Sequence, residues 1–359
     1  MALDSFVRGL SATRLLGGLL LMSAVAANVV PLKPVHAQTG ASDKVVVAHR
    51  GASGYLPEHT LQAAAMAYAM GANFQEQDVV MTRDDQLIVW HDLTLDRNSD
   101  VRHKFPGRAR DDGRHYVIDF TLDELRTLRV TEGFRLNDAG QEEQIYPERF
   151  PLWAGDFRIH TLAEQLEMIQ GLNRSTGRDV GIYPELKSPA FHHQHGKDIG
   201  MAVLSELKRF GYTSKDSNVY VQTFEFDELK RVKEQVQPAL GIELKLVQLM
   251  GDDEDDYGWM LAPGGMAELA RYADGIGPEK GMIISADSTP GNLAISTLVA
   301  DAHEAGLQVH PYTFRADTGQ VPAYARDFEH LLALFFFEAG VDGLFTDFPD
   351  RAVEFLKNQ

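Results

Sequence analysis

Along this chain of 359 residues, short apolar runs rich in valine and isoleucine recur at 45–49, 74–80, 87–91, 180–185, 218–222, 241–247, 273–277, 307–312 and 342–346. Each has the length of a buried strand rather than of a helix. Between many of them the apolar positions change to a spacing of three and four, which predicts helices with one buried face. Leu61–Met70 closes at Gly71, Thr161–Gln170 at Gly171, Ile199–Phe210 at Gly211 and Asp301–Ala305 at Gly306; glycine takes the left-handed conformation that ends a helix without steric cost. Strand, helix, strand repetition predicts a parallel sheet. Eight or nine strands suit an α/β fold of TIM type, a (β/α)8 barrel, better than an open doubly wound sheet. No dinucleotide or phosphate-loop glycine fingerprint follows the first strand.

One connection is too short for a crossover helix. Only Met81 to Gln86 separates Val79-Val80 from Leu87-Ile88, which predicts an antiparallel hairpin, with a parallel pair and a tight return as the alternative. A turn at Asp84-Asp85 sets Asp78 opposite His91 and Glu76 opposite Leu93. A slip of one residue would turn the side chains to the other face. The stretch from about Asp96 to His160 is charged, carries glycine and proline, and is too long for an ordinary connection. Its helical piece, Thr121 to Leu128, opens with a T-x-x-E capping pattern. We expect one domain over 38–359, with a small insertion subdomain at about 96–160 covering the catalytic end of the barrel.

The first 37 residues follow another logic. Arg8 and Arg14 precede an apolar run from Leu15 through Val30, and Val35-His36-Ala37 supplies small residues at a junction. That is the pattern of a cleaved secretory signal peptide. As a membrane anchor the run is interrupted by Gly17, Gly18, Asn28 and Pro31, and it barely reaches the roughly 20 apolar residues of a span. The absence of cysteine excludes disulfides, zinc thiolate sites and a lipid-modified N-terminal cysteine. We therefore expect a mature protein free in a bacterial periplasm, with no stable membrane association. A formal charge of −18 disfavours nucleic acid and anionic membranes as partners. Composition leaves the oligomeric state open.

Candidate chemistry concentrates in two short stretches. Residues 48–60 read A-H-R-G-A-S-G-Y-L-P-E-H-T, so a strand ends in His49-Arg50, turns through Gly51 and Gly54, and leads into a helix after Pro57-Glu58. The end of a strand is where α/β folds place their chemistry. Glu76 and Asp78 lie two apart on a strand and so share a face. Two buried carboxylates there repel; either one takes up a proton, or a cation sits between them, and a hard divalent ion with oxygen ligands answers most simply. Glu185 and Lys187, in Y-P-E-L-K, also share a face at a strand end, with a surface ion pair as the alternative reading. His49 and His91 at strand ends can divide acid and base roles, or else serve as core histidines. Arg50 offers a fork for a phosphate. Together these residues point to phosphodiester chemistry at a metal.

Weaker candidates sit nearby. Gln222 and Tyr312 occupy strand ends, and His192, His193 and His195 follow the Glu185 strand; all are candidate substrate contacts, with core packing or a solvated loop as the bland alternative. Asp252–Asp256 lacks the alternating ligands of an EF-hand loop and reads as a solvated acidic loop. Phe335-Phe336-Phe337 reads as a buried helix face. Asp347, in T-D-F-P, suits helix capping or loop anchoring as well as catalysis.

The ordered set H-R-G-x-x-G-x-x-P-E-x-T, E-x-D, H-D-x-x-L-D-R, E-L-K and G-L-F-T-D-F-P resembles the glycerophosphodiester phosphodiesterase family, from about Val45 to the C-terminus. Within that family it is most similar to the periplasmic, calcium-dependent bacterial branch. It departs at His59, where most members carry asparagine. The resemblance implies a TIM-type barrel that hydrolyses deacylated phospholipids, such as glycerophosphocholine, to an alcohol and sn-glycerol 3-phosphate. It implies metal ligands Glu76, Asp78 and Glu185, a catalytic pair His49 and His91, and phosphate contacts Arg50 and Lys187. It also implies a cyclic phosphate, with His49 as first-step base and His91 as acid, although the residues alone leave that order open. The implied ion is Ca2+, with Mg2+ or another divalent cation as the alternative. Two other readings compete. A phospholipase C or D type diesterase acting on intact lipid needs an apolar rim, which the acidic balance opposes. A surface binding protein that merely retains the barrel is opposed by the intact histidines and carboxylates.

Overall fold

The computed structural model describes residues 44–251 and 257–359; the expected signal peptide over 1–37 and the acidic run Asp252–Asp256 lie outside the described residues. All nine apolar runs contain strands: β1 (Val45–Ala48), β2 (Phe74–Met81), β3 (Leu87–Val89), β6 (Gly181–Leu186), β7 (Tyr220–Thr223), β8 (Lys245–Met250), β9 (Gly275–Pro278), β10 (Gln308–Val309) and β11 (Gly343–Thr346). Two further strands, β4 (Phe134–Leu136) and β5 (Glu142–Gln144), form a separate hairpin. Each is only three residues long, and β5, Glu142-Glu143-Gln144, has no apolar position, so the sequence reading missed them.

The main sheet runs β10-β9-β8-β7-β6-β2-β1-β11, with parallel neighbours throughout. Backbone hydrogen bonds complete the ring. Asp342 N donates to Val309 O at 3.0 Å, Phe345 N to Pro311 O at 3.0 Å and Phe314 N to Phe345 O at 2.9 Å. The result is an eight-stranded parallel barrel of TIM type with helices outside. Outward-facing Val46, Val79, Ile182, Leu246, Ile276 and Leu344 join the main core with the helices. Inside, Val47, Phe74, Tyr183, Tyr220, Val247 and Phe345 form an apolar floor, where Tyr183 and Tyr220 stack at 4.9 Å. Gly181 makes this floor possible: a Cβ there would lie 2.3 Å from the Phe74 ring. One step further along the strands the same face carries His49, Glu76, Asp78, Glu185, Gln222 and Asp347. The chemistry sits on an apolar plug.

Three details depart from expectation. The β2–β3 hairpin is antiparallel, but Val79 pairs with Val89 and Val80 with Ile88, one residue away from the expected register. Asp78 therefore faces Trp90, whose N–H donates to Asp78 O at 2.8 Å. The cause is a three-residue loop closed by Thr82 and Gln86, with Asp85 at φ 60, the left-handed position such loops require. Secondly, the helix expected to stop at Gly171 runs from Leu162 to Thr176 and stops at Gly177, φ 72. Its Thr161–Glu164 capping box and the buried Leu162, Leu166 and Ile169 outweigh the roughly 1 kcal/mol that an internal glycine costs. Thirdly, Phe335 and Phe336 are buried, but Phe337 is 48% exposed. The Asp252–Asp256 reading meets no described residue.

Between β3 and helix Leu162–Thr176 the chain builds a second apolar cluster around Leu95, Phe120, Leu128 and Val130, tied to the barrel by Val80 and Ile88 of the hairpin. Its helix Leu122–Leu125 has the expected Thr121–Glu124 capping box.

Below the site, His310 is buried against the Tyr183 hydroxyl, and burial pushes its pKa down to about 4. In the unfolded chain it titrates near 6.5. Between those values only the unfolded state binds the proton, so the stability contribution is full above about pH 6.5 and is lost as pH falls towards 4. In urea titrations between pH 7 and 4.5, H310Q should lose stability less steeply than the native protein, by about 1.4 kcal/mol per pH unit. Parallel slopes for the two proteins would contradict this.

Candidate active site

β1 delivers His49 to the barrel mouth: its N–H continues the ladder to Thr346 O at 3.0 Å. The chain then reverses through Arg50 (φ 58) and Gly51 (φ 84). That turn aims the Arg50 N–H at Glu76 Oε2, 2.9 Å away. The His49 ring is buried, with Nδ1 2.6 Å from Asp347 Oδ1. Nε2 is left towards the cavity, 3.5 Å from Thr313 Oγ1 and 3.8 Å from Glu76 Oε2. Burial, then the nearby Arg50 cation, holds the His49 pKa down at about 4.

Glu76, Asp78 and Glu185 converge. Asp78 and Glu185 are register partners across β2 and β6, and one carboxylate oxygen from each of the three residues lies within 4.8 Å of the others. All three are buried. Burial, then repulsion from Asp78, raises Glu76 well above the carboxylate range. Burial raises Glu185 to about 8 although Lys187 Nζ lies 2.8 Å away. For Asp78, burial is outweighed by His59, 2.7 Å from Oδ2, and by Lys187, so it is held well below its usual value. Asp78 Oδ1 is buried without a hydrogen-bond partner. Crowded, desolvated oxygens with an orphaned lone pair are what a hard divalent cation takes as ligands, so these residues fit a metal. The second acidic group, His193, Asp198 and Glu228, is already bridged by Arg231 and offers no comparable vacancy of charge.

His91 follows β3 and faces the same cavity. Its Nδ1 lies 2.5 Å from Asp92 Oδ1. Burial, then Arg50 and Lys187, lowers its pKa to about 3. His49, Arg50, Glu76, Asp78, His91, Glu185 and Lys187 thus line one cavity of about 200 Å³, with Tyr312, Thr313 and Arg315 among the other walls. It is continuous through His91, Lys187 and Phe224 with a cleft of about 710 Å³, whose wall includes Arg114 and Tyr116 from the segment after β3.

The weaker candidates divide. Tyr312 lines both spaces. Gln222 is fully buried and donates to Glu76 Oε1 at 3.0 Å, so it supports a carboxylate instead of lining the cavity. His192 departs from expectation. Its Nε2 accepts from Met81 N at 3.1 Å and its Nδ1 donates to Ser188 O at 3.1 Å; both nitrogens are spent on backbone, away from the cavity. Asp347 is no helix cap but the partner of His49. Reading the sequence missed Arg97, Arg149 and Arg315, and gave no role to Glu58 or Asp92. Arg315 lies two residues past V-H-P-Y-T, a usable signal, whereas Arg149 lies in sequence without a motif.

Two imidazoles backed by carboxylates, a buried carboxylate trio and two cations at the open end of a barrel define a phosphoric diester hydrolase. Residues 49–351 match the glycerophosphoryl diester phosphodiesterase family, and the chain belongs to that family. It is 48% identical over 332 residues to a glycerophosphodiester phosphodiesterase of Haemophilus influenzae, covering 88% of this chain and 90% of that one. It is 43% identical to one of Treponema pallidum, covering 88% and 92%. A solved Oleispira antarctica phosphodiesterase, in complex with the product sn-glycerol-3-phosphate, shares the fold at a TM-score of 0.57 and 20% identity, covering 87% and 96%. The chain is accordingly an enzyme that hydrolyses glycerophosphodiesters.

The repulsion in the trio has a measurable sign. With EDTA present, E76Q should melt above the native protein, because the amide is neutral without the proton that burial and repulsion from Asp78 oblige Glu76 to take up on folding. With millimolar CaCl2 the native melting temperature should rise while that of E76Q barely moves. An E76Q protein that melts lower than native in EDTA and gains as much from calcium would refute this account.

Proposed function

We propose that this enzyme cleaves deacylated phospholipids such as glycerophosphocholine to sn-glycerol 3-phosphate and an alcohol, by acid–base chemistry shared between His49 and His91. The observation that carries the reading is the pairing itself. Both rings have Nδ1 tied to a carboxylate and share the cavity lined by Arg50, Lys187 and the carboxylate trio. A carboxylate at Nδ1 keeps the proton there and leaves Nε2 as the working atom. His49 Nε2 removes the proton from the glycerol hydroxyl next to the phosphate. Its oxygen bonds to phosphorus, the bond to the head-group oxygen breaks, and His91 gives that oxygen a proton. Water then opens the cyclic phosphate with the two roles exchanged. Arg50 and Lys187 hold the phosphate oxygens. Burial, and then their charges, keep His91 neutral in the free site; a bound phosphodiester anion offsets those charges and raises the His91 pKa, which suits it to the acid role.

A divalent ion held by Glu76, Asp78 and Glu185 would supply further stabilisation of phosphoryl charge and make the hydroxyl more acidic. We take the ion to be Ca2+, on the resemblance to the calcium-dependent branch, with Mg2+ as the alternative. The cavity of about 200 Å³ suits a glycerol and phosphate better than a diacyl lipid. Residues 1–37 read as a signal peptide that directs the mature enzyme to the periplasm. Among the described residues no helix is long and apolar enough to cross a membrane.

Purified enzyme should hydrolyse glycerophosphocholine but not intact phosphatidylcholine, and EDTA should stop it, with calcium restoring turnover. H49A and H91A should each lose about 100-fold or more in kcat while keeping a native circular-dichroism spectrum. Full activity of either variant, or undiminished turnover in EDTA, would sink the mechanism.

A further inference from the structure

Each imidazole is steadied by a carboxylate, and each of those carboxylates is gripped by an arginine from the segment between β3 and helix Leu162–Thr176. Arg97 Nε donates to Asp92 Oδ2 at 2.9 Å, while its Nη2 donates to Glu58 Oε1 at 2.6 Å. Glu58 in turn accepts from Arg50 Nη1 at 3.0 Å. Arg149 reaches across 198 positions of sequence, its Nη2 donating to Asp347 Oδ2 at 2.6 Å. Its Nε and Nη2 also donate to Asp317 at 2.8 and 2.7 Å. Its Nη1 donates to Ser53 O at 3.0 Å, and Ser53 Oγ donates back to His49 O at 2.7 Å. The guanidinium packs 4.0 Å from the Tyr146 ring centre and the side chain is 5% exposed. Arg149 lines neither the cavity nor the cleft, so any effect on the reaction passes through another residue.

The two oxygens of Asp347 have separate duties. Oδ2 accepts from Arg149 at 2.6 Å and from Arg315 at 2.9 Å, whereas Oδ1 is left to His49 Nδ1 at 2.6 Å. A carboxylate pinned through one oxygen by two guanidiniums cannot swing its plane, and it stays ionised. The other oxygen then fixes both the orientation and the tautomer of the imidazole. A purely architectural arginine would be satisfied by Asp317 and Ser53; the additional bond ends on the group that aims His49. Arg97 repeats the arrangement at Asp92, taking Oδ2 and leaving Oδ1 to His91.

We propose that Arg149 is a positioning residue for His49, acting through Asp347, and that Arg97 serves His91 in the same way through Asp92. The insertion is then a working part of the acid–base pair as well as a wall of the cleft. This rests on the reading of His49 and His91 as that pair.

The test is a mutant cycle on the full-length mature enzyme, assayed with glycerophosphocholine in saturating calcium. R149M should lower kcat roughly 100-fold, the scale of a 1 Å misplacement. KM should stay within about threefold, and the melting response to calcium should persist. R149K, which retains one charged donor, should recover at least about tenfold of that loss, and it carries the test if R149M does not fold. Because both changes act on one bond, R149M combined with D347N should be no slower than D347N alone. R97M and D92N should show the same non-additivity. Multiplicative losses in either cycle, or an R149M kcat equal to native, would overturn the proposal. H49A separates the two levels. A dead H49A beside a fully active R149M sinks only the positioning role, whereas an active H49A sinks the acid–base reading beneath it.

Discussion

Three carboxylates that cannot all remain charged in a dry cup are the constraint around which this molecule is arranged. Glu76, Asp78 and Glu185 are each at most 4% exposed, and the cost of desolvating them grows with mutual repulsion. The neighbours answer that cost. The Arg50 amide, Gln222, His59 and Lys187 each spend a donor on one of the three. These donors satisfy individual oxygens without neutralising the group, which keeps the site receptive to a cation and hence to the anionic substrate it accompanies. The imidazoles stand at the flanks of this field, and burial and Arg50, joined at His91 by Lys187, hold them neutral in the free site.

The barrel makes such a cup affordable. Parallel strands alternate their side chains, so a face that carries Phe74, Tyr183 and Phe345 in one layer carries acidic and basic groups in the next. The aromatic floor keeps water from reaching the site from below, and the low polarity beneath strengthens every charge interaction above. Precision comes from chain reversal: Arg50 and His59 both adopt left-handed backbone angles, and their peptides meet through His59 N and Arg50 O at 3.0 Å.

Much of this architecture could be read from the residues. Buried parallel strands are written as continuous valine and isoleucine runs, and all nine contain observed strands. E-x-D announced its shared face because strand periodicity is two. The rest escaped for physical reasons. The hairpin register turned on one left-handed residue, Asp85, in a loop where a two-residue turn was the simpler guess. Gly171 looked like a helix end because local propensity cannot weigh the tertiary contacts that carry the helix to Gly177. His192 lay one turn from the site, and only the fold shows both its nitrogens taken by backbone. Arg149 had no local mark at all, since its meaning lies wholly in partners distant along the chain.

The bond between His49 and Asp347 ties the end of β1 to the end of β11, across 298 positions of sequence. Translation must therefore pass Asp347 before the imidazole acquires its orienting group, and β1 gains its β11 neighbour only once those residues exist. A product that stops short of Asp347 holds no complete centre. Competence waits on the last strand of the barrel.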